Sequence, residues 1–249
     1  MAYLLIGIFL PLFPLSMLFN GLNAAIKSNR QRMLLMLVWP LTGVLLFVNI
    51  GGEPPQWLGI WAISTALLYA FRSLVIKDLG IWVAYIWTST AALIWLLLLS
   101  TDDVRQVLLP AVMLLLPVSL MPMLTAYLNK SFGGSYAGAV RGLLKQMPRM
   151  TLLLVAGLLA AIATPLFPGF FVMLGMLNQW LDVLPWLSLG LLLIWLLWSW
   201  SGLRLLQLFV VGQGEHRSQD DLSQPLLLTA VSSLGLWCLL GIWFSGSLL

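Results

Sequence analysis

The sequence predicts an all-α, polytopic membrane protein, and three observations carry that expectation. Of 249 residues, 61% are hydrophobic and 8% are charged, against about 25% charged in an ordinary soluble domain. Mean hydropathy is +1.01. The apolar residues fall in long runs separated by polar or Pro/Gly-rich stretches, and a hydrocarbon core of about 30 Å needs about 20 residues of apolar helix to cross it. Twelve Lys/Arg and eight Asp/Glu cannot supply a polar skin for a soluble fold of this size. A soluble enzyme and a nucleic-acid module are therefore excluded. The net charge of +4 comes from basic loops and does not point to a nucleic acid.

About eight spans follow along one transmembrane domain, residues 1–249. The first, 3–26, carries no charge and ends at Lys27-Ser28-Asn29-Arg30-Gln31-Arg32. No basic segment precedes it and no small-residue cleavage site follows it, so it reads as a retained span rather than a signal peptide. The second is 33–50, closed by Gly51-Gly52-Glu53-Pro54-Pro55, a breaker cluster. The third, 57–76, has Arg72 near its end and Lys77-Asp78 beyond it. The fourth, 79–99, stops at Thr101-Asp102-Asp103, and the fifth, 107–128, contains Pro110, Pro117 and Pro122. The longest basic loop, 129–149, carries Lys130, Arg141, Lys145 and Arg149.

The stretch 150–180 is long for one span and short for two, and Thr164-Pro165-Leu166-Phe167-Pro168-Gly169 interrupts it. It is expected to be a single discontinuous helix. The seventh span, 185–211, precedes a polar loop holding Glu215, His216, Arg217, Asp220 and Asp221, and the eighth is 225–244. With both termini outside a bacterial inner membrane, eleven of the twelve cations lie at inner loops or span ends, Arg105 being the exception. That is the bias short cytoplasmic loops show. Trp57, Trp82, Trp180 and Trp186 fall near the proposed boundaries, as an aromatic belt would.

Chemistry has little material here. One cysteine, Cys238, and one histidine, His216, leave no disulfide framework, no metal site and no histidine-based catalytic set. No catalytic residue, metal ligand or cofactor is expected, and whether the chain belongs to an enzyme is left open. Gly133-Gly134-Ser135-Tyr136-Ala137-Gly138 lacks the Gly-Lys-Ser/Thr end of a phosphate loop.

The most informative feature is the break itself. Pro165 and Pro168 supply no amide hydrogen, so carbonyls around them lose their helical partners, and bare lipid cannot satisfy these. Transporters aim such breaks at ions; a packing kink is the alternative. Thr164, Pro165, Pro168 and Gly169 are thus ion-pathway candidates, and Arg72, Lys77 and Asp78 form a second set. An interfacial cluster that reaches toward water is the alternative for that second set. Lys130, Arg141, Lys145 and Arg149 are candidates for docking a peripheral partner or anionic lipid headgroups. No acid, lysine or histidine lies at the midplane of a span.

Residues 141–150, Arg-Gly-Leu-Leu-Lys-Gln-Met-Pro-Arg-Met, followed by an apolar stretch and Thr-Pro-Leu-Phe-Pro-Gly-Phe-Phe at 164–171, resemble the antiporter-like membrane subunits. These occur in respiratory complex I, Mrp-type cation/proton antiporters, membrane-bound hydrogenases and inorganic-carbon-accumulating complexes. Gly142, Leu143, Met147, Pro148, Pro165, Pro168, Gly169, Phe170 and Phe171 carry the likeness. Leu10-Pro11-Leu12 adds a weaker match near the start, and residues 50–130 match poorly.

The resemblance implies ion or proton translocation within a multisubunit complex. It also implies departures. A lysine or glutamate follows the Gly-Phe stretch in that family, where this chain reads Val172-Met173-Leu174-Gly175-Met176. A span with His and Lys precedes the family's basic loop, where 107–128 has neither. Family members are also longer. The implied role is a shortened subunit packed against a full-length paralogue or catalytic partner, possessing no titratable axis of its own. A stand-alone carrier of a small solute and a membrane assembly factor are the alternatives.

Overall fold

The computed structural model describes residues 2–50, 54–101, 103–138, 140–212 and 221–248. Gly51, Gly52, Glu53, Asp102, Glu215, His216, Arg217 and Asp220 lie outside the described residues.

The described residues form helices and connecting turns: α1 (Ala2–Phe9), α2 (Ser16–Ala25), α3 (Asn29–Ile50), α4 (Trp57–Ser73), α5 (Leu79–Leu98), α6 (Val104–Phe132), α7 (Leu143–Gln146), α8 (Pro148–Ala161), α9 (Pro168–Val183), α10 (Pro185–Val210) and α11 (Gln224–Leu248). Five helices are long and apolar enough to cross a membrane by length and composition: Asn29–Ile50, Leu79–Leu98, Gln106–Phe132, Pro185–Val210 and Gln224–Trp243. The chain is an integral membrane protein of all-α class. α8, α9 and α10 each begin with proline, which suits the first helical position because that amide has no helical acceptor.

α5 is the axis of the bundle. Of its span, 83% is buried, against 6% for Gln224–Trp243 of α11. α5 packs on α4 and α6; α3 lies on α6, α10 on α4 and α9, and α11 on α9. Apolar side chains face lipid as readily as each other, so helix association rests on close packing and interhelical hydrogen bonds.

The break in 150–180 is present: α8 stops at Ala161 and α9 starts at Pro168. A second break lies where the sequence suggests one uninterrupted run. Residues 3–26 form α1 and α2, separated at 10–15. The cause is the same tetrapeptide in both places, Pro-Leu-Phe-Pro at 11–14 and at 165–168. Each break lies against a glycine of another helix. A Cβ at Gly43 would fall 2.8 Å from Phe9 Cβ, and one at Gly241 would fall 2.7 Å from Pro168 Cγ. Side chains there would push α3 off the first break and α11 off the second.

The basic loop is pinned rather than loose. Leu79 N–H donates to Ser135 O and Ala137 N–H to Lys77 O, so the loop clasps the α4–α5 turn through the Asp78–Tyr136 bridge. Arg204 of α10 adds a 2.6 Å bond from Nη2 to Ile76 O at the same turn.

Candidate functional site

At the second break the backbone turns through two non-glycine residues of positive φ, Ala163 (53°) and Leu166 (94°). Several polar groups there find protein partners. Trp195 Nε1 donates to Ala163 O at 3.1 Å, Phe167 N to Thr164 O at 3.2 Å, and Thr164 Oγ1 to Leu159 O at 3.0 Å. Pro168 and Gly169 are buried, while Pro165 and Leu166 face outward. Gly241 of α11 covers Pro168, and Phe170 lies 5.4 Å from the Trp195 ring. The carbonyl of Ala163, whose helical donor Phe167 N–H turns instead to Thr164 O, is held by an indole.

The first break follows the same rule more fully. Pro14 has no amide hydrogen for Leu10 O, and Trp95 Nε1 donates to it at 3.1 Å. Trp61 Nε1 reaches Phe13 O at 2.6 Å and Trp39 Nε1 reaches Ile8 O at 2.9 Å. Phe13 N–H donates to Thr65 Oγ1 at 3.1 Å. Pro40 inside α3 likewise leaves Met36 O without its helical donor, and Trp87 Nε1 supplies one at 2.7 Å. An indole N–H is a donor with no lone pair to satisfy, so tryptophan completes these acceptors without bringing a new polar need into the membrane.

From the first break a neutral polar axis runs between α2, α4 and α5. Ser16 Oγ and Tyr69 OH lie 2.8 Å apart; Asn20 Nδ2 donates to Tyr69 OH at 3.3 Å; Thr88 Oγ1 lies 3.2 Å from Asn20 Oδ1. Further along, Trp198 Nε1 donates to Ser89 Oγ at 2.9 Å, Ser89 Oγ to Ala66 O at 2.8 Å, and Trp82 Nε1 to Ser201 Oγ at 3.1 Å. Hydroxyls can pass a proton because each both accepts and releases one. The Asn20 amide donates but does not release its proton, so a relay along Ser16, Tyr69 and Thr88 stops at Asn20. This axis ties helices together, and its chain of hydroxyls is interrupted at Asn20. Its trace in the sequence is slight: Ser16 and Asn20 stand at helical spacing within an uncharged run.

The other candidates are placed apart from the break. Arg72 is exposed at the end of α4, its guanidinium 5.8 Å from the Tyr69 ring centroid. Lys77 is exposed, and Asp78 caps α5 by accepting from Ile81 N–H at 2.9 Å. These three sit at the α4–α5 turn, whereas the second break packs against α10 and α11. The four docking candidates also divide. Lys130, Arg141 and Lys145 are exposed. Arg149 is tied to its own chain: Nη1 donates to Leu222 O at 2.9 Å, and the Asp221 carboxylate accepts from Arg149 N at 2.8 Å and Met150 N at 3.1 Å. Asp221 therefore caps α8 from a point 72 residues away.

No family model matches the chain, and no curated protein does. Solved structures do. A chain of respiratory complex I from Thermus thermophilus, solved with bound NADH, superposes with a TM-score of 0.80 at 22% identity, covering 98% of this chain and 54% of that one. A chain of the membrane-bound sulfane sulfur reductase, an archaeal respiratory membrane complex, gives 0.78 at 17% identity, covering 98% and 52%. A second Thermus thermophilus complex I structure, with bound aureothin, gives 0.60 at 20% identity, covering 78% and 44%. The chain spans about half the length of these solved chains. Its fold is that of these chains of respiratory membrane complexes.

Proposed function

We propose that this chain is a shortened antiporter-like subunit of a proton- or cation-coupled membrane complex, packed against a full-length paralogue or a catalytic partner. Its role is to brace that partner, and the groups that take up and release protons belong to the partner. The observation that supports this reading is the treatment of both breaks. Indoles of Trp95, Trp61 and Trp195 bind the carbonyls of Leu10, Phe13 and Ala163, and the polar axis beside them is interrupted for protons by the Asn20 amide. The likeness to chains of respiratory complexes supports the setting. A bacterial inner membrane with both termini outside suits the distribution of Lys and Arg. The exposed Lys130, Arg141 and Lys145 are the groups that dock a peripheral subunit.

Two measurements test the proposal. Purification in a mild detergent should retain a larger membrane subunit in fixed stoichiometry. The isolated chain in proteoliposomes should not dissipate or build a pH gradient. Unaided proton movement by the isolated chain would overturn the proposal and favour the stand-alone carrier.

A further inference from the structure

Nine of the thirteen indole nitrogens fall into two groups. Those of Trp39, Trp61, Trp82, Trp87, Trp95, Trp195 and Trp198 each have an acceptor in the protein. Two others are buried without one, Trp180 and Trp237. Each of those two lines a crevice. Where tryptophan elsewhere in this fold completes a carbonyl, an indole that is buried beside an open space and has no acceptor marks a place where the acceptor comes from outside.

Trp180 is the sharper case. Its side chain is 7% exposed. Its crevice, about 410 Å³, lies where the ends of α4, α5, α9 and α10 meet. Leu98, Leu184 and Leu187 give apolar wall; Ser100, Thr101 and Gln179 give the polar part, with Gln56 exposed at the rim. Three of those polar groups are already bonded: Ser100 Oγ donates to Leu97 O at 2.7 Å, Thr101 Oγ1 to Gln106 Oε1 at 3.2 Å, and Gln179 Nε2 to Ser100 O at 3.4 Å. The Trp180 N–H is the buried donor left over, whereas the Gln56 amide is open to the surroundings. No cation is among the described lining residues, so a neutral acceptor suits the buried indole N–H. Trp57 and Trp186, half exposed at the same end of the bundle, mark the level of the membrane interface. At that level the lipid glycerol esters present carbonyl oxygens above their acyl chains.

We propose that this crevice binds a glycerolipid, with an ester carbonyl accepting from Trp180 Nε1 and the acyl chain lying on Leu98, Leu184 and Leu187. Trp237 lines the other crevice from the middle of α11, where the bilayer offers chains and no ester, so the proposal is confined to Trp180. The site requires a membrane around the chain and not the partner proposed above.

The test is a comparison of two lipids differing only in the carbonyl. The protein, purified in mild detergent with whatever stays bound and stripped of lipid, is titrated with dioleoyl phosphatidylcholine and with its ether-linked analogue, and bound molecules are counted by native mass spectrometry. The ester lipid should bind about three- to tenfold more tightly. Trp180→Phe should bring the ester lipid down to the ether lipid's level. Equal binding of the two by the unaltered protein would overturn the proposal, as would an undiminished ester preference in Trp180→Phe. Should Trp180→Phe fail to fold, Val183→Trp replaces it. Val183 is 62% exposed on the rim, and filling the crevice from there should remove one bound lipid per chain. An unchanged count would overturn the proposal equally.

Discussion

Trp87 and Pro40 make the proline–indole exchange measurable at single residues. Trp87 stacks on Phe19 with ring centroids 3.8 Å apart, so Trp87→Phe retains a ring and removes the donor to Met36 O. An interhelical hydrogen bond in a membrane is worth about 1 kcal/mol, and an acceptor left unpaired brings the loss to about 1–2 kcal/mol. Pro40→Ala restores an amide hydrogen that can reach Met36 O along the helix. Adding it to Trp87→Phe should therefore recover about half of the loss, read as unfolding free energy in detergent. Strictly additive effects would show that the indole does not replace the missing amide. Leu166 offers the opposite sign. It holds φ at 94° with its side chain 72% exposed, and such a conformation costs a non-glycine residue about 1–3 kcal/mol. Leu166→Gly should raise the melting temperature, and Leu166→Ile should lower it further than Leu166→Ala.

Between elements, the breaks separate what was legible in the sequence from what was not. The interruption at 164–169 stood out because two prolines and a glycine follow each other where a span should be in mid-membrane. The same Pro-Leu-Phe-Pro at 11–14 did not stand out, because hydropathy over 3–26 stays high when the interrupting residues are themselves apolar. Periodicity cannot see that Phe13 O and Leu10 O need donors, nor that these come from Trp61 and Trp95, far along the chain. Prolines alone mark Thr164, Pro165, Pro168 and Gly169, and the donors that complete the carbonyls leave no trace in that local pattern. Asp221 was hidden likewise. It reads as one acid in a polar loop, yet it caps α8 across 72 residues. Asp221→Ala removes both bonds to the α8 amides and should cost about 1–2 kcal/mol. Hydrogen exchange should rise at Arg149 and Met150 first. Unchanged exchange there would remove the cap from the account of how α8 begins.

For the molecule as a whole, the basic loop sorts its cations by what holds them. Lys130, Arg141 and Lys145 are exposed, on a segment fixed to the α4–α5 turn by Leu79 N–H on Ser135 O and Ala137 N–H on Lys77 O. A rigid loop that presents free charge suits a partner with an acidic face, because little ordering entropy is lost on docking. Arg149 differs, since its guanidinium holds Leu222 O. Lys130→Glu, Arg141→Glu and Lys145→Glu together should release a peripheral subunit from the complex while the melting temperature of the membrane part stays unchanged. Salt should mimic the release, because exposed charges are screened within about 10 Å at 0.1 M ionic strength. Arg149→Glu should do the reverse, lowering the melting temperature through loss of the Leu222 contact and repulsion from Asp221, with peripheral composition preserved. A triple variant that keeps every peripheral subunit would leave these cations to anionic lipid headgroups, and vesicle binding with and without anionic lipid would then show that preference directly.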